Sequence, residues 1–108
     1  MKLLIAIVQD EDAHMLMDDL SENGFRMTKL ASTGGFLKAG NTTLLLGIDE
    51  DRVDEALRII EEDCKSRKTT TTLLNVTMPG EAYVPLPMEV QIGGATIFML
   101  DVEKFIRI

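Results

Sequence analysis

Leu3-Leu4-Ile5-Ala6-Ile7-Val8 runs through Gln9 into Asp10-Glu11-Asp12, and later Leu44-Leu45-Leu46-Gly47-Ile48 runs into Asp49-Glu50-Asp51. After each acidic cluster the apolar residues fall at helical spacing. They are Ala13, Leu16, Met17 and Leu20 in the first copy, and Val53, Ala56, Leu57 and Ile60 in the second. Spacing of i, i+3, i+4, i+7 gives each helix one apolar face. The acids at each helix start suit the positive end of the helix dipole and offer N-cap oxygens. Gly24 follows the first helix as a left-handed C-cap. The chain therefore contains a strand-helix unit twice over.

Between the two units, Phe25 to Ser32 and Asn41 to Ile48 are strand-like and are joined through Thr33-Gly34-Gly35-Phe36-Leu37-Lys38-Ala39-Gly40. From Cys64 to Glu81 the periodicity is poor. Thr69-Thr70-Thr71-Thr72 and Pro79-Gly80 read there as a long loop, with a strand fragment near Leu73 to Val76. Met88 to Ile92 and Ala95 to Leu100 flank Gly93-Gly94, a hairpin signal. Pro85 and Pro87 mark extended chain entering that hairpin at an edge. A doubled split βαβ unit predicts an α+β, ferredoxin-like βαββαβ sandwich with an extra C-terminal strand and two extended loops. All 108 residues fit one domain.

Charge narrows the function. Eighteen acids against eleven bases give a net charge of −7, and such a surface repels a nucleic-acid backbone, so DNA and RNA are not expected partners. A single Cys and a single His exclude an internal disulfide, a thiolate zinc cluster and His-rich metal sites. The opening apolar run is too short for a membrane span and lacks a cleavage pattern, so a cytoplasmic domain is expected. The acids are also unevenly spread: the two helical segments carry most of them. Gly24 to Ile48 has none, with Arg26, Lys29 and Lys38, and Cys64 to Gly80 has none, with Lys65, Arg67 and Lys68. Those two windows are prepared for an anion.

Within the first window, Gly34-Gly35 lets backbone N–H groups converge on a phosphate. Thr28 and Thr33 can add hydroxyl donors and Lys38 a cation. Phe36 at a loop tip gains nothing unless a base or another subunit covers it. This is no Walker-type loop, because Gly-x-x-x-x-Gly-Lys-Ser/Thr is missing. Asn41 has the donor and acceptor pair that matches an adenine edge, although Asn is also an ordinary residue at a strand entrance. Gly47 inside an apolar strand signals a close approach by backbone or ligand. Cys64 reads as a buried thiol, His14 as a surface residue, and Met15, Met17 and Met99 as core filler. Asp18/Asp19 and Glu61/Glu62 are sequence neighbours, so neither pair converges on a helix. No nucleophile with a base and no metal set emerges, so no enzyme is expected and no cofactor is required.

These residues carry a resemblance. Ile5 to Asp10, the block from Phe25 through Thr33-Gly34-Gly35-Phe36-Leu37 to Asn41-Thr42-Thr43, Asp51 to Asp54, and Val90 to Phe98 together resemble the PII-like cyclic-di-AMP receptor family. The resemblance spans nearly the whole chain. It implies a cytoplasmic, bacterial second-messenger receptor without catalytic activity, a homotrimer holding one cyclic-di-AMP in each cleft between subunits. It puts the ligand phosphates near Thr28 and the backbone of Gly35, Phe36 and Leu37, and an adenine against Asn41 and the Gly47 backbone. Arg26 would stack on the second base, Phe36 and Phe98 would add aromatic surface, and Gly93 or Gly94 a close backbone approach. Lys38 stands where relatives carry arginine, which replaces a fork by a point charge. The loop of Lys65 to Ala82 matches in length more than in sequence, leaving the downstream protein partner unspecified. Loops that change order on occupancy are the expected output. The rivals are a nitrogen-type PII regulator binding ATP, whose basic glycine-rich segment is lacking here, a trimeric metal binder, and a ligand-free interaction scaffold.

Overall fold

Strict alternation along β1 (Lys2–Gln9) buries Leu4, Ala6 and Val8 on one face and leaves Leu3, Ile5 and Ile7 half-buried on the other. The computed structural model describes residues 1–30, 40–73 and 86–108. After β1 come α1 (Asp10–Glu22), a short β2 (Thr28–Leu30), β3 (Asn41–Ile48), a single 3-10 turn at Glu50–Arg52, and α2 (Val53–Cys64). Then follow β4 (Arg67–Leu73), β5 (Leu86–Ile92) and β6 (Ala95–Asp101). Four strands form an antiparallel sheet in the order β2-β3-β1-β6, and β4 and β5 form a separate two-stranded sheet. The repeated strand-helix unit is thus present, with β1 and β3 side by side at the centre.

Both helices pack on the sheet face that carries Leu4, Ala6, Val8, Leu44, Leu46 and Ile48, and Leu16, Leu20, Ala56 and Ile60 meet them. Fully burying a side chain such as Leu16 or Ile60 contributes about 1.5–3 kcal/mol. Cys64 closes the core at the end of α2 and is buried as expected. Gly24 adopts a φ of +83° just beyond α1, the left-handed geometry that ends the helix there. The following Phe25 is buried and lies 4.1 Å beneath the Arg52 guanidinium.

The ferredoxin-like sandwich stands, and several of its expected details are corrected. Gly93-Gly94 does not close a hairpin. It is a corner at which the chain leaves β5 and enters β6, whose partner is β1. The strand from Ala95 is therefore the fourth strand of the sandwich rather than an extra C-terminal one, and the additional strands are the inserted pair β4–β5. The Thr69–Thr72 run lies within β4, not in a loop. Met15 and Met99 are half exposed rather than core; Met17 is partly buried against the core. No acidic side chain caps either helix. The acids of the first α1 turn bond elsewhere: Thr42 Oγ1 donates to Asp10, and Asp12 receives Arg67. Expectations placed on residues 31–39 and 74–85, including Thr33, Gly34, Gly35, Phe36, Leu37, Lys38 and Pro79-Gly80, lie outside the described residues.

Candidate functional site

Among the described residues, no helix and no second sheet packs on the face of the sheet away from α1 and α2. Antiparallel register puts Leu3 opposite Gly47 and Leu100, and Ile5 opposite Leu45 and Phe98. Thr28 sits opposite Leu45 in turn. Partners in register share a face, so Leu3, Ile5, Leu45, Phe98 and Leu100 make one continuous apolar surface. Phe98 is 55% exposed and Leu100 49% exposed. Beyond β6, the C-terminal residues Phe105, Ile106 and Ile108 add more exposed apolar surface.

A cleft of about 450 Å³ opens at one end of this face, where Arg26, Thr28, Leu45 and Gly47 meet Val102, Phe105 and Arg107. Three of the sequence-expected site residues, Arg26, Thr28 and Gly47, are therefore brought together. Arg26 and Arg107 are both exposed and have no acidic partner among the described residues. That distinguishes them from Arg52, held by Glu55 and the Asn23 carbonyl, and from Lys2, held by Asp101 and Glu50. Free guanidinium groups beside an apolar floor suit an anion that also carries flat rings.

Gly47 is exposed, and a Cβ built on it would meet only Met1 Sδ at 3.9 Å, an ordinary contact. Nothing among the described residues requires a glycine there. Gly93 is the opposite case. Its φ is +81°, and a Cβ would lie 2.6 Å from the Lys65 carbonyl oxygen and 2.7 Å from Arg67 Nη1. The chain's own packing excludes a side chain at Gly93, whose N–H donates to Gln9 Oε1 at 2.7 Å.

Asn41 lies at the far end of β3, opposite Gln9, and lines a second hollow of about 580 Å³ with Asp10, His14 and Lys29. Six steps along the strand separate it from Gly47, about 20 Å at the usual rise. One chain therefore cannot bring both to the same purine. Phe98 lies mid-sheet, and Gly93-Gly94 lies at the Asn41 end, beside Gln9 and Cys64. Gly35, Phe36 and Leu37 fall outside the described residues. His14 is on the surface as expected, 3.4 Å from Asp18.

Three features carry no signal in the local sequence pattern. Phe105 and Arg107 enter the cleft from a segment without regular structure, which no periodicity announces. Asp12, only 3% exposed, holds Arg67 Nη2 at 2.7 Å and so fastens β4 to α1. Asp63 on α2 faces Asp19 on α1. Burial first, and then the bond to Asp19, push the Asp63 carboxyl up to about 6, with Glu62 and Asp12 adding in the same direction. One Asp63 oxygen is buried without a donor among the described residues, as fits a carboxyl that holds its proton readily. The neighbouring Cys64 thiol is pushed up to about 11, chiefly by burial and then by Asp12 and Asp63, so at neutral pH it is a protonated thiol and a poor nucleophile. No group of three or more potential metal ligands occurs among the described residues. None of their helices is long and apolar enough to cross a membrane.

The fold and cleft together define a ferredoxin-like α+β domain with an inserted two-stranded arm and an anion-suited hollow on its uncovered sheet face. Comparison gives its relatives: the chain belongs to the cyclic-di-AMP receptor family, whose sequence model matches residues 1–108. It is also similar to a crystal structure described as that of a functionally unknown protein from Pediococcus pentosaceus ATCC 25745. The two share 44% identity, over 99% of this chain and 96% of that one, with a TM-score of 0.77.

Proposed function

We propose that this protein is a cytoplasmic signal-transduction receptor, a homotrimer that binds cyclic-di-AMP in clefts between subunits and alters the order of its loops on binding. Membership of the receptor family supports the ligand. The observation that carries the site is Gly47: an exposed glycine in a strand, with room for a side chain among the described residues, beside Arg26 and Arg107, which have no acidic partner among those residues. A ligand or neighbouring subunit that must approach the backbone closely accounts for it.

The separation of Gly47 from Asn41 supports an interface in particular. If both read adenine, the Asn41 of one copy serves a base different from the one its own Gly47 serves, or copies share the bases between them. The apolar face of Leu3, Ile5, Leu45, Phe98 and Leu100 supplies what such copies would bury. In that arrangement Thr28, with the backbone of Gly35, Phe36 and Leu37, receives the phosphates and Arg26 stacks on a base. Phe98 adds aromatic surface, and Gly93 or Gly94 gives close approach at the second end.

Calorimetric titration with cyclic-di-AMP tests this, with ATP and cyclic-di-GMP as controls and sedimentation reporting the assembly. Selective binding near one ligand per chain to a trimer, strongly weakened by Asn41→Ala, is the expected result. Binding of ATP in its place would move the reading to a nitrogen-type PII regulator. Silence toward every nucleotide would leave an interaction scaffold.

A further inference from the structure

Three residues within one short stretch, Gln9, Asp10 and Asp12, touch both ends of the proposed apparatus. On one side they hold the segment that begins β3. Gln9 is the register partner of Asn41, the Asp10 N–H donates to the Gly40 carbonyl at 2.7 Å, and the Thr42 hydroxyl donates to the Asp10 carboxylate. On the other side they hold the root of the β4–β5 arm. Gln9 Oε1 accepts from the Gly93 N–H at 2.7 Å, and the buried Asp12 carboxylate takes both Nη atoms of Arg67, at 2.7 and 3.4 Å. Arg67 opens β4, and Gly93 directly follows β5. The Gly94 N–H donates to the Cys64 carbonyl at the same junction.

The arm makes no strand pairing with the main sheet, and an isolated two-stranded hairpin is marginal in water. Its order therefore depends on how firmly its root is held. We propose that the Gln9–Asp12 turn couples the Asn41 end of β3 to the β4–β5 arm, with Gln9 as the positioning residue through its acceptor bond to Gly93. A displacement of Gly40 to Thr42 changes the seat of Asp10 and Gln9. Through Gln9 it changes the hold on Gly93, whose neighbour Gly94 is bonded to the Cys64 carbonyl at the same root. As a signalling route this rests on the receptor reading, because cyclic-di-AMP at Asn41 is the natural source of the displacement.

The experiment compares amide exchange in residues 67–73 and 86–92 of full-length wild type, Gln9→Met and Gln9→Glu, with and without saturating cyclic-di-AMP, alongside calorimetry. Met keeps the length and loses the strong acceptor; Glu keeps an acceptor oxygen. We expect Gln9→Met to bind the ligand nearly as wild type does while losing about fivefold of the ligand-dependent protection of the arm, the worth of one hydrogen bond. Gln9→Glu is expected to retain it. An undiminished response in Gln9→Met would overturn the coupling. So would a loss in Gln9→Glu as large as in Gln9→Met, loss of binding in Gln9→Met, or a wild type that binds with no change in the arm.

A ligand-free arm of the experiment separates this from the receptor reading. Thr42→Val removes the hydroxyl that holds Asp10 and is expected to speed exchange in the arm of otherwise wild-type protein. In Gln9→Met the same change should add little. Additive effects refute the coupling whatever the ligand proves to be. Absence of cyclic-di-AMP binding by the wild type, with this non-additivity intact, would instead count against the receptor reading alone.

Discussion

Replacing Arg67 by Met strands a buried carboxylate, and the cost can be bracketed from the geometry. Asp12 is 3% exposed, and its oxygens lie 2.7 Å from Arg67 Nη2 and 3.4 Å from Nη1. The Arg67 side chain is 38% exposed. Removing one partner of a fully buried pair costs about 3–5 kcal/mol, whereas an exposed pair contributes about 0.2–1 kcal/mol. With one partner buried and the other partly in water, Arg67→Met should cost about 2–3 kcal/mol. Asp12→Leu is different: it removes the buried charge, keeps the branched shape of the side chain at a larger volume, and leaves Arg67 free to turn to solvent. It should cost about 1 kcal/mol or less, and adding Arg67→Met to it should cost little more. The cycle thus predicts a coupling of about 2 kcal/mol, read by urea unfolding at pH 7 and a fixed chain concentration, since any assembly adds a mass-action term. Coupling within about 0.3 kcal/mol of zero, the usual error of additivity, would show that Arg67 does not compensate the Asp12 charge.

Further outcomes follow from the site and its surroundings. Gly93→Ala should destabilise by about 3 kcal/mol, combining the left-handed backbone with the 2.6 Å approach to the Lys65 carbonyl. Gly94→Ala, with open space at its Cβ, should lose only the backbone part, and equal losses would refute the steric argument. Gly47→Val should leave the monomer's core intact yet abolish cyclic-di-AMP binding, and unaltered affinity would remove Gly47 from the site. Arg107→Ala should weaken binding about tenfold, as loss of a charge-assisted contact does, and calorimetry would detect its failure to do so. Asp63 titrates near 6 when folded, against 3.8 ordinarily, so the folded chain binds this proton more tightly than the unfolded chain. Its contribution to stability therefore grows as pH falls from 7 through 6 and is complete below 3.8. Asp63→Asn should remove that slope and raise stability at pH 7.5, and melting curves at pH 5 and 7.5 with an unchanged difference would refute it.

The sandwich was legible because its central units obey two clean periods. β1 alternates, α1 and α2 repeat at helical spacing, and both patterns come from facing a single core. The arm was not legible for the converse reason. Lys68, Thr69 and Thr70 are exposed, so this part of β4 buries no alternate side chains that would print an apolar alternation on its sequence. Gly93-Gly94 announced a sharp bend correctly, but a bend does not specify whether the flanking strands pair with each other or with different sheets. The Asp19–Asp63 contact joins two helices through residues far apart in sequence, so no local spacing could reveal it. The cleft was legible in part: Arg26, Thr28 and Gly47 stood out by charge and by a glycine out of place, whereas Phe105 and Arg107 arrive only through the tertiary path of the C-terminal segment.

The two-stranded arm has a consequence for solubility. Among the described residues each of its strands pairs only with the other, which leaves an outer edge of the kind onto which another chain can add a strand. Pro87, placed opposite Thr72 in β5, offers no N–H to such an intruder. Lys68, opposite Gln91, reaches diagonally to Glu89 at 3.7 Å, so a strand arriving alongside would have to settle beside charge. At high concentration the arm is thereby discouraged from zipping onto its own copies, and a protein with an exposed ribbon can remain dispersed.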